Sequence, residues 1–578
     1  MSLISKPTKV HLEGHGALTL RPVDYMTGGG EGAIYKKDST IIKLYLDPKK
    51  MERDDMTSKV RLLAKRLVHP SIVAPRGVVT NDTGTTIGYH MPFVSGEALP
   101  RIFTNDWRTQ NHFGDTETVT LTAGMHDVVK YTHTAGALLV DGNELNWLAD
   151  VTDIRKPVPY AIDVDSWQID RFKATVMMPS IRDWHTTGIT TESDWFAWGI
   201  VSFLLFTGIH PFKGTLAGYK PGELERRMKD HASVFNPNVR LNKAVRDFAA
   251  IPGPLFEWYR ETFSGNTRTM PPSPLLTGAV QTAIGRIMRV VATTTGGLVY
   301  EKLFEKTGDA VVSVWPCGVV RLASGALVEL TGKRTVGQTT GTKVAVVATT
   351  DGWLIAEELS HAWHWRFINR VTLVETPLSL AVPVVQVVRS GERLFVVTET
   401  ELIELALHQF GKPVLTLGNR WHVLKTGTRW FGGMDVADVI GAMHIVSPYG
   451  TDAVALVRTS ELDGLTVVNA LAGNRFAEVV TVNKNGDYEA HTFAFTSDWK
   501  QYRYTKTRVD GPEQNLTILP KGVTARIVED SELIIMVPGS GDTKVVKDKD
   551  LATDMRLSHI GNQVVYRKDG TLWSLRMQ

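Results

Sequence analysis

Three oxygen-bearing side chains stand at a spacing suited to work on a hydroxyl group and a hard cation. Asp141 and Asn146, with four residues between them, lie within residues 138–148, where an apolar pair leads into a polar loop and then into further apolar residues. That pattern predicts a short strand, a tight loop and a second short strand, with both side chains held towards one cleft. Further on, Ala161, Ile162, Asp163, Val164, Asp165 and Ser166 read as a third strand that ends in acids. Carboxylate and amide oxygens so placed can approach a substrate hydroxyl and one or two divalent cations, as phosphoryl transfer requires. The D-x-x-x-x-N spacing arises often by chance. Its weight comes from what precedes and follows it.

What precedes it is a nucleotide-lid pattern. A strand over residues 18–22 leads to Met26, Thr27, Gly28, Gly29, Gly30, Glu31, Gly32, Ala33, Ile34 and Tyr35. Glycines let backbone N–H groups approach phosphates closely, although a lone glycine cluster is equally a flexible hairpin turn. The next strand, residues 40–45, places Lys43 inside an apolar run. An ammonium there must meet an anion or turn out to water, and contact with the α- and β-phosphates is the preferred reading. A helix is expected over residues 51–67, with Met56, Val60, Leu63, Ala64 and Leu67 at helical spacing, then strands over 72–80 and 85–92.

In this order the motifs of residues 20–280 resemble a protein kinase of the divergent bacterial and phage eukaryotic-like type. The resemblance implies an α+β bilobal domain: an extension over 1–16, a small lobe over 17–92 and a helical lobe over 93–280. It also implies ATP and Mg²⁺ as cofactors. Asp141 would orient the substrate hydroxyl and Lys43 would hold phosphates. Gly28, Gly29, Gly30, Gly32 and Ile34 would form the lid, while Met91 and Phe93 would sit at the connection that reads adenine. Asn146 and Asp163 would hold the metal. Asp165 stands where glycine is usual, and either joins the metal shell or is a solvated loop acid.

The most specific match runs from Ser193 and Asp194 through an apolar helix to Gly208, Pro211 and Phe212. By family Asp194 braces the backbone of the catalytic loop, with a plain helix N-cap as the alternative. His210, before a proline, reads as a packed turn residue. Several positions depart from the family pattern. Lys59 falls where a helix glutamate normally pairs with the strand lysine, leaving Glu52, Asp54 or Asp55 as possible substitutes. Asn143 stands in place of the catalytic-loop lysine. Met178, Pro179 and Ser180 replace A-P-E, which removes the usual acidic partner of a late arginine, here Arg268.

From residue 287 to 578 the texture is short β-rich runs broken by Gly, Asp, Asn and Thr. Residues 394–398 with 402–405, 454–457 with 465–468, 533–537 with 544–546, and 564–567 with 572–575 read as hairpins. An all-β domain follows, a β-propeller of six or seven blades in preference to two smaller β domains. Asp351-Gly352-Trp353 and Asp569-Gly570-Thr571-Leu572-Trp573 echo one another without a strict repeat. His361 and His364, beside Trp363 and Trp365, lack a third ligand and read as packing. This half is expected to bind a protein substrate or partner.

Composition sets the outer bounds. A chain of 578 residues exceeds one core, and 43% apolar with 22% charged residues is ordinary for a globular protein. Net charge is +3 without a basic stripe, so nucleic acid is not indicated. The single cysteine, Cys317, offers neither an internal disulfide nor a paired thiol site, which fits the cytoplasm of a bacterial or phage-infected cell, or a virion. The first ten residues do not read as a signal peptide. The apolar run 195–209 is shorter than the ~20 residues of a membrane span and reads as a buried helix. Three functions stay open: an ATP/Mg-dependent Ser/Thr protein kinase, a pseudokinase scaffold or virion or host-interaction protein that binds nucleotide without transfer, and a small-molecule kinase.

Overall fold

The computed structural model describes residues 4–29, 31–174, 176–276, 297–449, 453–537 and 543–577. The chain is multidomain, an N-terminal α+β region followed by a large all-β region of separate small sheets. The expected lobe boundary near residue 280 and the expected β-domain start at 287 fall outside the described residues.

The N-terminal sheet is antiparallel and has seven strands: β1 (Thr8–Leu12), β2 (Gly16–Leu20), β3 (Tyr25–Gly28), β4 (Gly32–Lys37), β5 (Thr40–Tyr45), β6 (Gly77–Thr80) and β7 (Thr86–Pro92). Their order is β2-β1-β6-β7-β5-β4-β3, so residues expected to form an extension supply an interior strand. Val10 and Leu12 of β1 are buried there with Leu20, Tyr35 and Ile42. One long helix was expected over 51–67, but two form, α1 (Pro48–Arg53) and α2 (Met56–Arg66). The break falls at Asp55, which takes a left-handed conformation (φ 51°). Its carboxylate accepts the Ser58 N–H at 3.4 Å as the cap of α2. Asp residues tolerate that conformation and cap well, which outweighs the continuous helical spacing.

Among the described residues six helices build the second lobe: α3 (Leu99–Ile102), α4 (Asn105–Asn111), α5 (Asp115–Thr134), α6 (Thr191–Thr207), α7 (Leu224–Lys229) and α8 (Gly253–Ser264). Short strands β8 (Glu97–Ala98), β9 (Ala137–Leu138), β10 (Trp147–Asp150), β11 (Val158–Ala161) and β12 (Gln168–Ile169) carry the loops between them. As expected, α6 is buried, with every residue from Ser193 to Thr207 out of solvent. Thr190 caps it and Gly208 (φ 76°) stops it. A Cβ on Gly199 would meet the Trp258 ring at 2.9 Å, so glycine here is a packing requirement. No helix among the described residues is long and apolar enough to cross a membrane.

His210 sits at the end of this helix, buried. The Phe212 N–H donates to its Nδ1 (3.2 Å), which makes Nε2 the protonated nitrogen that donates to the Ser180 carbonyl (2.9 Å). Burial, with the nearby Lys213 charge, pushes its pKa down from 6.5 to about 3. Between those values the unfolded chain binds a proton that the folded chain does not. Stability therefore falls as pH drops below about 6.5, by up to about 1.4 kcal/mol per unit from this group. Urea unfolding at pH 7, 6 and 5 should show that slope and should show it flattened in His210→Asn; an equal slope in both would exclude His210 as its source.

The all-β region comprises seven four-stranded antiparallel sheets among the described residues. Six are built from consecutive strands. In the seventh, the region's first strand, Leu298–Phe304, pairs with its last, Thr571–Met577, so the two ends share one sheet. Three of the four expected hairpins form. The pair around 454–457 and 465–468 does not: Ala453–Arg458 closes one sheet and Thr466–Gly473 opens the next. The tryptophan echoes are also not equivalent, since Gly352 opens the second strand of its sheet and Thr571 the third. Val468, Val480, Val482, Tyr488 and Ala490 of the β region share one apolar core with the helical lobe.

Candidate functional site

Lys43 is the centre of the site. It lies on β5 opposite Tyr89 of β7 and Ile34 of β4, and only 5% of it is exposed, so it is not a solvated strand lysine. Its Nζ donates to Asp163 Oδ1 at 2.6 Å and to Asp165 Oδ1 at 2.8 Å. Burial would lower its pKa, yet the Asp165 and Asp163 charges and their hydrogen bonds outweigh burial and hold the ammonium charged. Two glycines make room for Lys43, one for its side chain and one for its backbone. A Cβ on Gly32 would meet Lys43 Cγ at 3.1 Å, and one on Gly88 would collide with the Lys43 carbonyl. Gly88 carried no sequence signal, since its need arises only from the register of β5 and β7.

Asp165 is 2% exposed, which excludes the solvated loop acid. Its Oδ1 also accepts the Tyr89 hydroxyl at 2.7 Å. Burial acts to raise its pKa, but Lys43, Tyr89 and Lys59 together bring it below the ordinary carboxylate value. Asp163 behaves oppositely: burial, with the Asp165 charge beside it, raises its pKa despite Lys43. Asp163 sits at φ 58°, and its Oδ2 has no hydrogen-bond partner among the described residues.

Lys59, the cation where an acid was expected, is 1% exposed. Its Nζ donates to the Asp165 backbone carbonyl at 2.7 Å and to the Lys173 carbonyl at 3.4 Å. None of Glu52, Asp54 and Asp55 replaces the missing acid. Asp55 caps α2 and pairs with Arg171 at 2.5 Å. The acidic partner of Lys43 comes from the loop after β11 instead of from the helix. Two departures in the sequence, an extra Asp and a helix Lys, thus compensate each other.

The loop between β9 and β10 brings Asp141 and Asn146 together. Asn146 Nδ2 donates to the Asp141 carbonyl at 2.7 Å, which leaves its Oδ1 for another partner. The Ile162 N–H donates to the Asn146 carbonyl at 3.0 Å and ties this loop to the strand that leads to Asp163. Asp194 accepts the N–H groups of Leu139 and Val140, both at 2.8 Å, and lies 3.0 Å from His133 Nε2. It is a brace, and Thr190 is the helix cap. Val140 has φ 64°, a strained conformation for a β-branched residue, held by that brace immediately before Asp141. One oxygen of Asp141 accepts the Met178 N–H at 2.8 Å.

The remaining site residues flank this cluster. Gly28 and Gly29 lie at the β3–β4 turn, where the Gly29 N–H donates to the Gly32 carbonyl at 2.9 Å; Gly30 lies outside the described residues. Met91 pairs with Ile41, and the Phe93 N–H donates to the Ser39 carbonyl at 2.8 Å. The Lys36 ammonium lies 3.5 Å from the centre of the Phe93 ring.

Arg268 does find an acid. Asp183, three residues beyond Ser180, accepts from its Nε at 2.5 Å and from a terminal nitrogen at 3.0 Å. Burial alone would raise the Asp183 pKa, but Arg268 keeps it below the ordinary value. The Asp183 side chain is fully buried, so Arg268→Met would strand its charge. An expected loss of about 3–5 kcal/mol follows, read by denaturant unfolding of the full chain; a loss below about 1 kcal/mol would mean that the pair is solvated.

Two hard oxygens, Asp163 Oδ2 and Asn146 Oδ1, have no hydrogen-bond partner among the described residues. This donor set suits Mg²⁺, which keeps several waters and takes few protein ligands beside substrate phosphates. No group of three His, Cys, Asp or Glu side chains converges on a metal position among the described residues. His364 lies in the strand Ala362–Asn369, paired to Glu357 across the sheet, and His361 stands in the turn before it (φ 66°).

No protein-family profile matches the chain, and no curated protein matches it. Among solved structures it is similar to a twitchin kinase fragment from C. elegans, described as an autoregulated protein kinase with immunoglobulin domains. The TM-score is 0.35 at 15% identity, over 43% of this chain and 54% of that one, so the chain spans about half that structure's length.

Proposed function

We propose that the α+β region is a bilobal protein-kinase-like domain that transfers the γ-phosphoryl group of ATP to a hydroxyl, and that the β region is a seven-bladed propeller. The propeller reading is supported by seven similar sheets and by the sheet that the region's two ends share. The observation that carries the functional reading is the meeting of Lys43, Asp163 and Asp165, residues about 120 positions apart, beside the Asp141–Asn146 loop.

Asp163 Oδ2 and Asn146 Oδ1 would hold Mg²⁺, which would supply positive charge to neutralise that of the phosphates. Lys43 keeps its charge against burial and presents it to the phosphate oxygens. Asp141 orients the acceptor hydroxyl and takes its proton at the oxygen not bound by Met178. Asp194 holds the backbone before it, and the rate comes from positioning and fixed charge. The acceptor is read as a Ser or Thr of a protein, with the β region binding that protein or another partner.

A second reading, a pseudokinase that binds nucleotide without transfer, is favoured by Asp141 itself. It is 8% exposed and one of its oxygens is already bonded. Incubating the full chain with Mg²⁺, ATP and Ser/Thr peptides, with phosphate read by mass spectrometry, decides between them. Phosphopeptides from the wild type and none from Asp141→Asn support the kinase; none from either, with ATP still raising the melting temperature, supports the pseudokinase.

A further inference from the structure

The β region touches both halves of the candidate site. Asp438, in the strand Asp435–Val439, accepts the Tyr25 hydroxyl at 3.1 Å. Thr426 donates to the carbonyls of Val23 and Tyr25. These residues hold β3, the strand that enters the glycine turn. On the opposite side Tyr488 donates to Glu144 at 2.9 Å. Glu144 lies between Asp141 and Asn146 in the catalytic loop, and both it and Tyr488 are buried.

Neighbouring contacts make this second attachment rigid. Lys213 donates to the Asp510 carbonyl at 2.9 Å, and its ammonium lies 5.4 Å from the Tyr488 ring centre. A Cβ on Gly486 (φ 81°) would collide with Ser180, whose neighbour Met178 bonds Asp141 through its backbone. The interface is continuous with the apolar core of the helical lobe. Domains joined through a shared apolar core do not move freely against each other.

We propose that the β region is a brace that sets the spacing between the glycine strand β3 and the catalytic loop, with Asp438 and Tyr488 as positioning residues. Each acts through one bond: Asp438 fixes the strand that carries the lid, and Tyr488 satisfies a buried carboxyl inside the loop that carries Asp141. A shift of about 1 Å in such a loop costs on the order of 10²-fold in rate. The kinetic part of this proposal rests on the phosphoryl-transfer reading; the structural part does not.

The test is made on the full chain with Asp438→Ala and Tyr488→Phe. Hydrogen exchange should rise in residues 25–35 in the first variant and in residues 139–146 in the second, with the other segment unchanged in each. In steady state, Asp438→Ala should raise KM for ATP about fivefold or more at near-constant kcat. Tyr488→Phe should lower kcat roughly tenfold to a hundredfold at near-constant KM. Unchanged exchange in both segments overturns the brace, as does a parallel fall of kcat and melting temperature without that split. If the wild type transfers no phosphate, the phosphoryl-transfer reading fails while exchange still decides the brace. If Tyr488→Phe does not fold, Glu144→Ala, which empties the same bond from the loop side, is measured in its place.

Discussion

Asp163→Asn in the full chain is expected to lower phosphoryl transfer by roughly 10²–10³-fold or more, with little loss of stability. Asparagine keeps an oxygen for the Lys43 bond, and Lys43 retains Asp165 at 2.8 Å, so the cleft stays assembled. What is lost is the negative charge beside the free Oδ2, the donor proposed to hold Mg²⁺. Activity and melting temperature measured on the same preparation separate the two effects. A variant that keeps full activity would remove Asp163 from the metal site, and one that unfolds would make it a structural acid.

Asp165→Asn should behave in the opposite way, with stability and activity lost together. Its carboxylate is the buried counter-charge of Lys43, and Lys59 donates to its backbone carbonyl. Neutralising it leaves two buried ammonium groups with Asp163 as the one carboxylate bonded to either. Lys43 keeps Asp163, but the carboxylate lost is the fully buried one of the two, and a loss on the order of 3 kcal/mol is expected, read by denaturant unfolding. Removing the second ammonium should recover part of that loss, so Asp165→Asn with Lys59→Met should be more stable than Asp165→Asn alone. A double-mutant cycle measures the coupling, and simple additivity would mean that Lys59 and Asp165 do not share one electrostatic site.

Legibility in the sequence followed how local each cause is. The helix α6 announced itself through a continuous apolar run ended by Gly208, and its first-turn Asp194 could be assigned as a brace because the motif around it is long. The lysine strand and the acids after β11 were visible as separate signals. Their partnership was not. Lys43 and Asp165 are 122 positions apart, and nothing in either segment says which carboxylate turns inward. The helix break at Asp55 was hidden because the apolar spacing runs through it, while a single capping side chain decides the geometry. The shift of the Arg268 partner to Asp183 carries no motif signal, because the charge stands three residues beyond the motif position. In the β region, hairpins were readable where a tight turn joins two strands. The 454–468 pair failed because a short connection between sheets looks like a hairpin turn in sequence.

Calorimetric titration of ATP into the full chain, with and without Mg²⁺ and beside Asp163→Asn, tests most directly whether the cleft around Lys43 is a metal–nucleotide site. Binding that requires Mg²⁺ in the wild type and weakens at least tenfold in Asp163→Asn is the predicted result. ATP binding of equal strength with and without Mg²⁺, or no binding at all, would contradict it.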